Sequence, residues 1–170
     1  MTLLIRMKKL SSINWVSFKE DNFYLEAISI SLGVNIEDWL SSNNTIQYII
    51  EIAEYNKKRE YIEFVNYPNI IISIYDKIID KISVYIYEYQ SSPYYKGDIF
   101  LFGKKLEVPF LSDDIEKYFP AISIKPKEYF KRFSSRETVD YTISDGIKIE
   151  ITMGRDPELV GIISLKLSYP

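Results

Sequence analysis

Residues 137–169 constrain the fold more than any other stretch, because their alternation closes in only one arrangement. Val139, Tyr141 and Ile143 form one face of one run and Ile147, Ile149, Ile151 and Met153 one face of the next, on either side of Ser144-Asp145-Gly146. Period-two alternation marks a half-buried strand, and a glycine turn between two such runs marks a hairpin. Register decides the turn. A two-residue Asp145-Gly146 loop sets Ile143 opposite Lys148 and puts apolar against charged along the ladder. A three-residue Ser144-Asp145-Gly146 loop, with Gly146 left-handed, sets Ile143 opposite Ile147 and Tyr141 opposite Ile149, and is the expected turn. After Gly154-Arg155-Asp156-Pro157 a third strand returns over Val160 to Tyr169, with Ile163, Leu165, Leu167 and Tyr169 inward and Ser164, Lys166 and Ser168 outward.

The same reasoning covers the rest of the chain. Ile13 to Phe18 and Phe23 to Ser31 read as a hairpin across Glu20-Asp21-Asn22, and Gly33 ends it. Asn35 caps a helical turn over Ile36 to Leu40, with Glu37 and Asp38 near its positive end. The principal helix is expected from Thr45 to about Lys57, because Ile46, Ile49, Ile50 and Ala53 follow helical spacing and Lys57, Lys58 and Arg59 sit at its C-terminal end. Strands are expected over Tyr61 to Asn66, Asn69 to Tyr75 and Lys81 to Tyr89, then a hairpin within Gly97 to Phe110 across Phe102-Gly103-Lys104. Ser112 is the expected N-cap of a short helix that Pro120 stops.

The fold predicted is therefore α+β: a largely antiparallel β-sheet of hairpins and meanders, with one main helix and one or two short helices packed on a face. Strands that follow one another through short turns argue against a parallel doubly wound sheet. One domain spans 1–170. Ile70 to Tyr89 and Ile147 to Tyr169 echo each other as isoleucine-rich hairpins ending in tyrosine, the pattern a duplication with halves of about 13–92 and 97–170 would leave.

The chemistry available to this chain is narrow, because it contains no histidine and no cysteine. That removes imidazole bases, thiolate nucleophiles and the usual zinc and haem ligands. Its six glycines never form GxGxxG or a P-loop, and there is no GxSxG elbow. A carboxylate-only Mg²⁺ hydrolase needs acids alone, but the Glu-x-Lys pattern is missing, and Asp145 and Glu150 read as a turn residue and a surface charge. No enzyme activity and no cofactor are expected. A net charge of −3 disfavours nucleic acid as a partner. The N-terminus lacks an apolar signal region and no run reaches membrane-spanning length, so the expected location is cytoplasmic, with no membrane partner.

Binding is what remains. The chain has 15 tyrosines, part of which reflects AT-rich codon usage, since alanine stands only at 27, 53 and 121. On the strand from Lys81, Ile82, Val84 and Ile86 take one face and Tyr85, Tyr87 and Tyr89 the other, with Tyr94 and Tyr95 in the next loop. Tyrosine buries large area at low entropic cost and offers a hydroxyl, which suits it to binding hot spots. Asp113, Asp114 and Glu116 form the densest acidic patch, suited either to a basic partner or to the helix dipole. Lys125 to Arg136 interleaves cations with Tyr129, Phe130 and Phe133, and reads as a strand with solvated lysines rather than a nucleic-acid platform.

In size, single-domain α+β character, acidic balance, AT-rich composition and lack of a catalytic constellation, the chain resembles immunity proteins of bacterial toxin systems. The resemblance implies a cytosolic protein that occludes a cognate, basic toxin domain. Tyr85, Tyr87, Tyr89, Tyr94, Tyr95, Asp113, Asp114 and Glu116 are the candidate partner contacts. The alternative is a structural or assembly protein of a phage or mobile element, forming homo-oligomers through tyrosine-rich edge strands.

Overall fold

The computed structural model describes residues 4–6, 15–19, 22–26, 28–43, 48–53, 55–64, 67–86, 95–107, 109–119, 128–131, 137–154 and 158–168; of these, 4–6, 48, 49, 67, 68, 112, 128–131 and 137 are described by backbone alone. In chain order the strands are β1 (Leu4–Arg6), β2 (Trp15–Lys19), β3 (Asn22–Leu25), β4 (Ile28–Ser31), β5 (Tyr48–Ile52), β6 (Arg59–Phe64), β7 (Tyr67–Tyr75), β8 (Ile78–Tyr85), β9 (Asp98–Leu101), β10 (Lys104–Lys105), β11 (Glu128–Lys131), β12 (Glu137–Ser144), β13 (Ile147–Met153) and β14 (Val160–Leu167). Helix α1 (Ile36–Ser42) lies between β4 and β5, and a 3-10 helix (Ser112–Tyr118) between β10 and β11.

The strands form two sheets. The larger has nine strands in the order β1-β5-β6-β7-β8-β14-β13-β12-β11, and the smaller five in the order β10-β9-β2-β3-β4. Among the described residues every strand pairing is antiparallel except β2 with β9. One apolar cluster joins the sheets: Val16, Phe18, Phe23, Leu25 and Ile30 of the smaller belong to the same core as Ile62, Ile72, Ile82, Val84, Ile149, Ile151, Ile163 and Leu165 of the larger. Removing this much isoleucine and phenylalanine from water, at about 25 cal/mol per Å², is the main force holding the layers together. Ile36 and Trp39 of α1 enter the same core, and Trp39 Nε1 donates to the Ser29 carbonyl at 2.9 Å. Asn35 caps α1 as expected, its Oδ1 accepting from the Glu37 amide at 2.8 Å.

The element order runs twice. β3-β4-α1-β5-β6-β7-β8 is matched by β9-β10-(3-10 helix)-β11-β12-β13-β14. The turns after β3 and β9 carry left-handed Glu26 (φ 52) and Phe102 (φ 51). Asn35 bridges to Ile78 as Leu111 bridges to Leu159. The Ile79 amide donates to the Val34 carbonyl, and the Val160 amide to that of Phe110, both at 3.0 Å. In the large sheet the two runs meet where β8 pairs with β14.

Several expectations change. The segment assigned to the principal helix contains β5, whose Tyr48–Ile52 pairs with β1 on one side and β6 on the other. The run Tyr48, Ile50, Ile52 alternates as well as it spirals, and β-branched isoleucine with two strand partners favours the sheet. Phe23 to Ser31 splits into β3 and β4 at the left-handed Glu26. In the C-terminal hairpin Tyr141 stands opposite Ile149 as predicted, but Ser144, not Ile143, faces Ile147, because the register shifts between Thr142 and Ser144. Gly146 is left-handed at φ 77. Leu111, not Ser112, occupies the cap of the second helix, without a side-chain hydrogen bond.

Candidate functional site

The smaller sheet turns an aromatic face outward. Val16 and Phe18 of β2 are fully buried, so Trp15, Ser17 and Lys19 project from the opposite side. Ser17 stands opposite Tyr24 of β3 and Phe100 of β9, so two rings flank it across the strands. Ser17 is therefore only 4% exposed although it faces away from the core, while Trp15 keeps 38% of its surface. Trp15 and Phe100 meet edge to face with centroids 6.2 Å apart. The Lys19 ammonium lies 5.2 Å above the centre of the Tyr24 ring. Glu26 and Asp98 stand at the end of this cradle, an open depression of about 660 Å³. Asp98 pairs with Lys105 at 3.0 Å.

The larger sheet turns outward a face built from charge. Lys81 of β8, Lys166 of β14 and Lys148 of β13 stand directly opposite one another on three neighbouring strands. In the next row Ser83, Ser164, Glu150 and Asp140 follow across β8, β14, β13 and β12. The two rows lock together. Lys81 Nζ donates to Glu150 Oε1 at 2.5 Å, and Lys166 Nζ reaches Glu150 Oε2 at 2.6 Å and Asp140 Oδ2 at 2.7 Å. The Ser83 and Ser164 hydroxyls share a hydrogen bond of 2.8 Å. Asp80 enters from a register shift in β8: Ser73 faces Lys81 and Ile74 faces Ile79, leaving Asp80 as the extra residue. Such a bulge re-aims a side chain, and here Arg59 Nη1 holds both Asp80 oxygens at 2.7 Å.

Glu150 is 3% exposed, not the surface charge expected, and Ser164 at 1% exposure is no solvent-facing residue either. The sequence shows the alternation, but not that the outer face buries its polar positions among neighbouring long side chains. Burial pushes the Glu150 carboxyl up, yet the Lys81 and Lys166 ammoniums outweigh it and hold the group at about 2. Burial and the hydrogen bond with Tyr55 push the Tyr61 phenol up to about 12, the two hydroxyls lying 2.7 Å apart. Glu63 is raised by burial and by the nearby Glu51. Asp140 Oδ1 is buried with no hydrogen-bond partner among the described residues. The groove over this face encloses about 500 Å³.

The contacts read from sequence are dispersed. Tyr85 ends β8, half-buried, and its carbonyl accepts from the Tyr95 amide at 2.7 Å. Tyr95 is 4% exposed and belongs to the core, lining a cavity of about 820 Å³ with Ile86, Ile99, Leu106 and Phe110. Tyr87, Tyr89 and Tyr94 lie outside the described residues, as do Lys125, Lys127 and Arg136. In the 3-10 helix Asp113 is exposed, Asp114 pairs with Lys117 at 2.5 Å, and Glu116 is half-buried. Trp15, Tyr24 and Phe100 were not singled out from sequence. Their signal was present as large aromatics at the outward parity of strands whose other parity is apolar.

Among the described residues no group of three or more acidic side chains is placed to hold a metal ion, and no helix is long and apolar enough to cross a membrane. Comparison with protein families, curated proteins and solved structures finds no match. The functional reading rests on geometry.

Proposed function

We propose that this chain is a cytoplasmic protein-binding module that neutralises a cognate partner, in the manner of immunity proteins that block a bacterial toxin domain. The observation that carries the reading is the aromatic cradle, in which Trp15 remains 38% exposed beside Phe100 and Tyr24. An exposed tryptophan and a half-buried tyrosine packed around a small residue supply large, rigid contact area, the composition of interface hot spots. Lys19, Glu26 and Asp98 give the depression a polar rim, as such interfaces have. A net charge of −3 steers a basic partner toward the chain. The assembly reading is weaker, because among the described residues β10 and β4, at the two edges of the smaller sheet, have only two and four residues, poor templates for edge pairing.

The test is affinity capture from the source lysate with the wild-type chain and with Trp15→Ala and Phe100→Ala. The expected result is one stoichiometric basic protein whose affinity falls about 30-fold or more in the variants, the size of a hot-spot loss. A partner bound equally by both variants would remove the cradle from the interface. Recovery of the chain's own copies alone would overturn the reading in favour of assembly.

A further inference from the structure

We propose that the aromatic cradle is an arginine seat: the partner's anchor is a guanidinium stacked on Trp15 and hydrogen-bonded to Asp98. The proposal deepens the interface reading above and rests on it. Trp15 stands directly opposite Asp98 on the parallel strand β9, and its own carbonyl accepts from the Glu26 amide at 3.2 Å. The exposed indole is therefore flanked by an acid-bearing residue on each side, and both line the depression with it. The next row along β2 is Tyr24, Ser17 and Phe100, one ring on each side of a small floor residue.

This end of the cradle suits a planar cation. Tryptophan is the strongest aromatic partner for a cation, and a guanidinium stacks flat on a ring while its edge donates to a carboxylate. The cradle already holds one cation over a ring, since Lys19 lies 5.2 Å above the centre of Tyr24. Lys19 does not reach Trp15 as well, because four residues along a strand place it about 13 Å away. Among the described residues no cation lies over the Trp15 ring. Asp98 need not be vacant to accept the guanidinium. Lys105 reaches Asp98 Oδ1 at 3.0 Å from β10, which lies on the far side of β9 from Trp15. An ionised carboxylate offers about four acceptor sites, so one ammonium does not exhaust it. That pair is also exposed, at 57% and 52%, and an exposed pair holds weakly. A partner lysine gains less here, because its ammonium is strongly hydrated and does not stack.

The experiment follows the Trp15 indole N–H by NMR in the full chain at low salt. The probes are acetyl-Gly-Arg-Gly-amide and the same peptide carrying citrulline or lysine in place of arginine. The arginine peptide is expected to shift that resonance at millimolar concentration and to bind at least about fivefold more tightly than the citrulline peptide, with lysine between them. Asp98 is exposed, so Asp98→Asn should fold; it is expected to weaken the arginine peptide about fivefold, whereas Lys105→Ala should not weaken it. No shift at Trp15, citrulline binding as tightly as arginine, or affinity unchanged by Asp98→Asn would each overturn the proposal. Capture of the partner with the same variants separates this failure from failure of the interface reading. A partner lost on Trp15→Ala but fully held by Asp98→Asn overturns the arginine seat and leaves the interface standing. A partner indifferent to Trp15→Ala, with the arginine peptide bound as expected, overturns the interface and supports the seat.

Discussion

Glu150→Gln tests the energetic core of the charged face. The substitution keeps the shape of the side chain and removes its charge, leaving Lys81 and Lys166 facing a neutral amide where both donated to a carboxylate. The native carboxyl sits at about 2 against an ordinary 4.5. At about 1.4 kcal/mol per pH unit, that difference contributes on the order of 3 kcal/mol to folding. Loss of one partner from a buried pair costs about 3–5 kcal/mol, in agreement. The sign follows from the lowered value. The folded state binds this proton less readily than the unfolded chain, so the stabilisation is complete above pH 4.5 and is lost as pH falls toward 2. Urea unfolding followed by circular dichroism should show the variant about 3 kcal/mol less stable at pH 7, with a melting point roughly 10 °C lower. The gap should narrow steadily below pH 4.5. A difference under about 1 kcal/mol at pH 7, or one that does not shrink with acid, would refute the reasoning.

Other perturbations probe separate parts. Gly146→Ala should cost about 1 kcal/mol in the same unfolding assay, because φ is +77 while a Cβ would meet nothing within 4 Å, so the penalty is purely backbone. Arg59→Ala leaves the Asp80 carboxylate, 6% exposed, without its guanidinium, and should destabilise more than Lys58→Ala, whose pair with Asp76 is exposed. Tyr55→Phe should bring the Tyr61 phenol down from about 12, seen as an earlier rise in tyrosinate absorbance on alkaline titration.

What could be read from sequence was local and periodic. The C-terminal meander came through because Ile149, Ile151, Ile163 and Leu165 satisfy a single face, and Gly146 marks the turn. The sequence favours a helix at β5 because four apolar positions between 46 and 53 match a helical stripe, while Tyr48, Ile50 and Ile52 match a strand equally well; pairing with the distant β1 and with the next strand, β6, decides it. Only the assembled sheet could show that Glu150 is buried, since its lysines lie 69 and 16 residues away. The cradle depends on the parallel β2–β9 pairing, which brings residues 15–18 beside 98–101 and which no local pattern announces.

The central claim is that Trp15 is the anchor of a partner interface, and tryptophan fluorescence tests it most directly. The chain has two tryptophans, and Trp39 is only 5% exposed, so quenching by iodide reports on Trp15. In the free protein quenching should be efficient. On saturation with the captured partner it should fall nearly to that of a buried indole. Quenching unchanged in a saturated complex would contradict the account, because the partner would then be seated elsewhere.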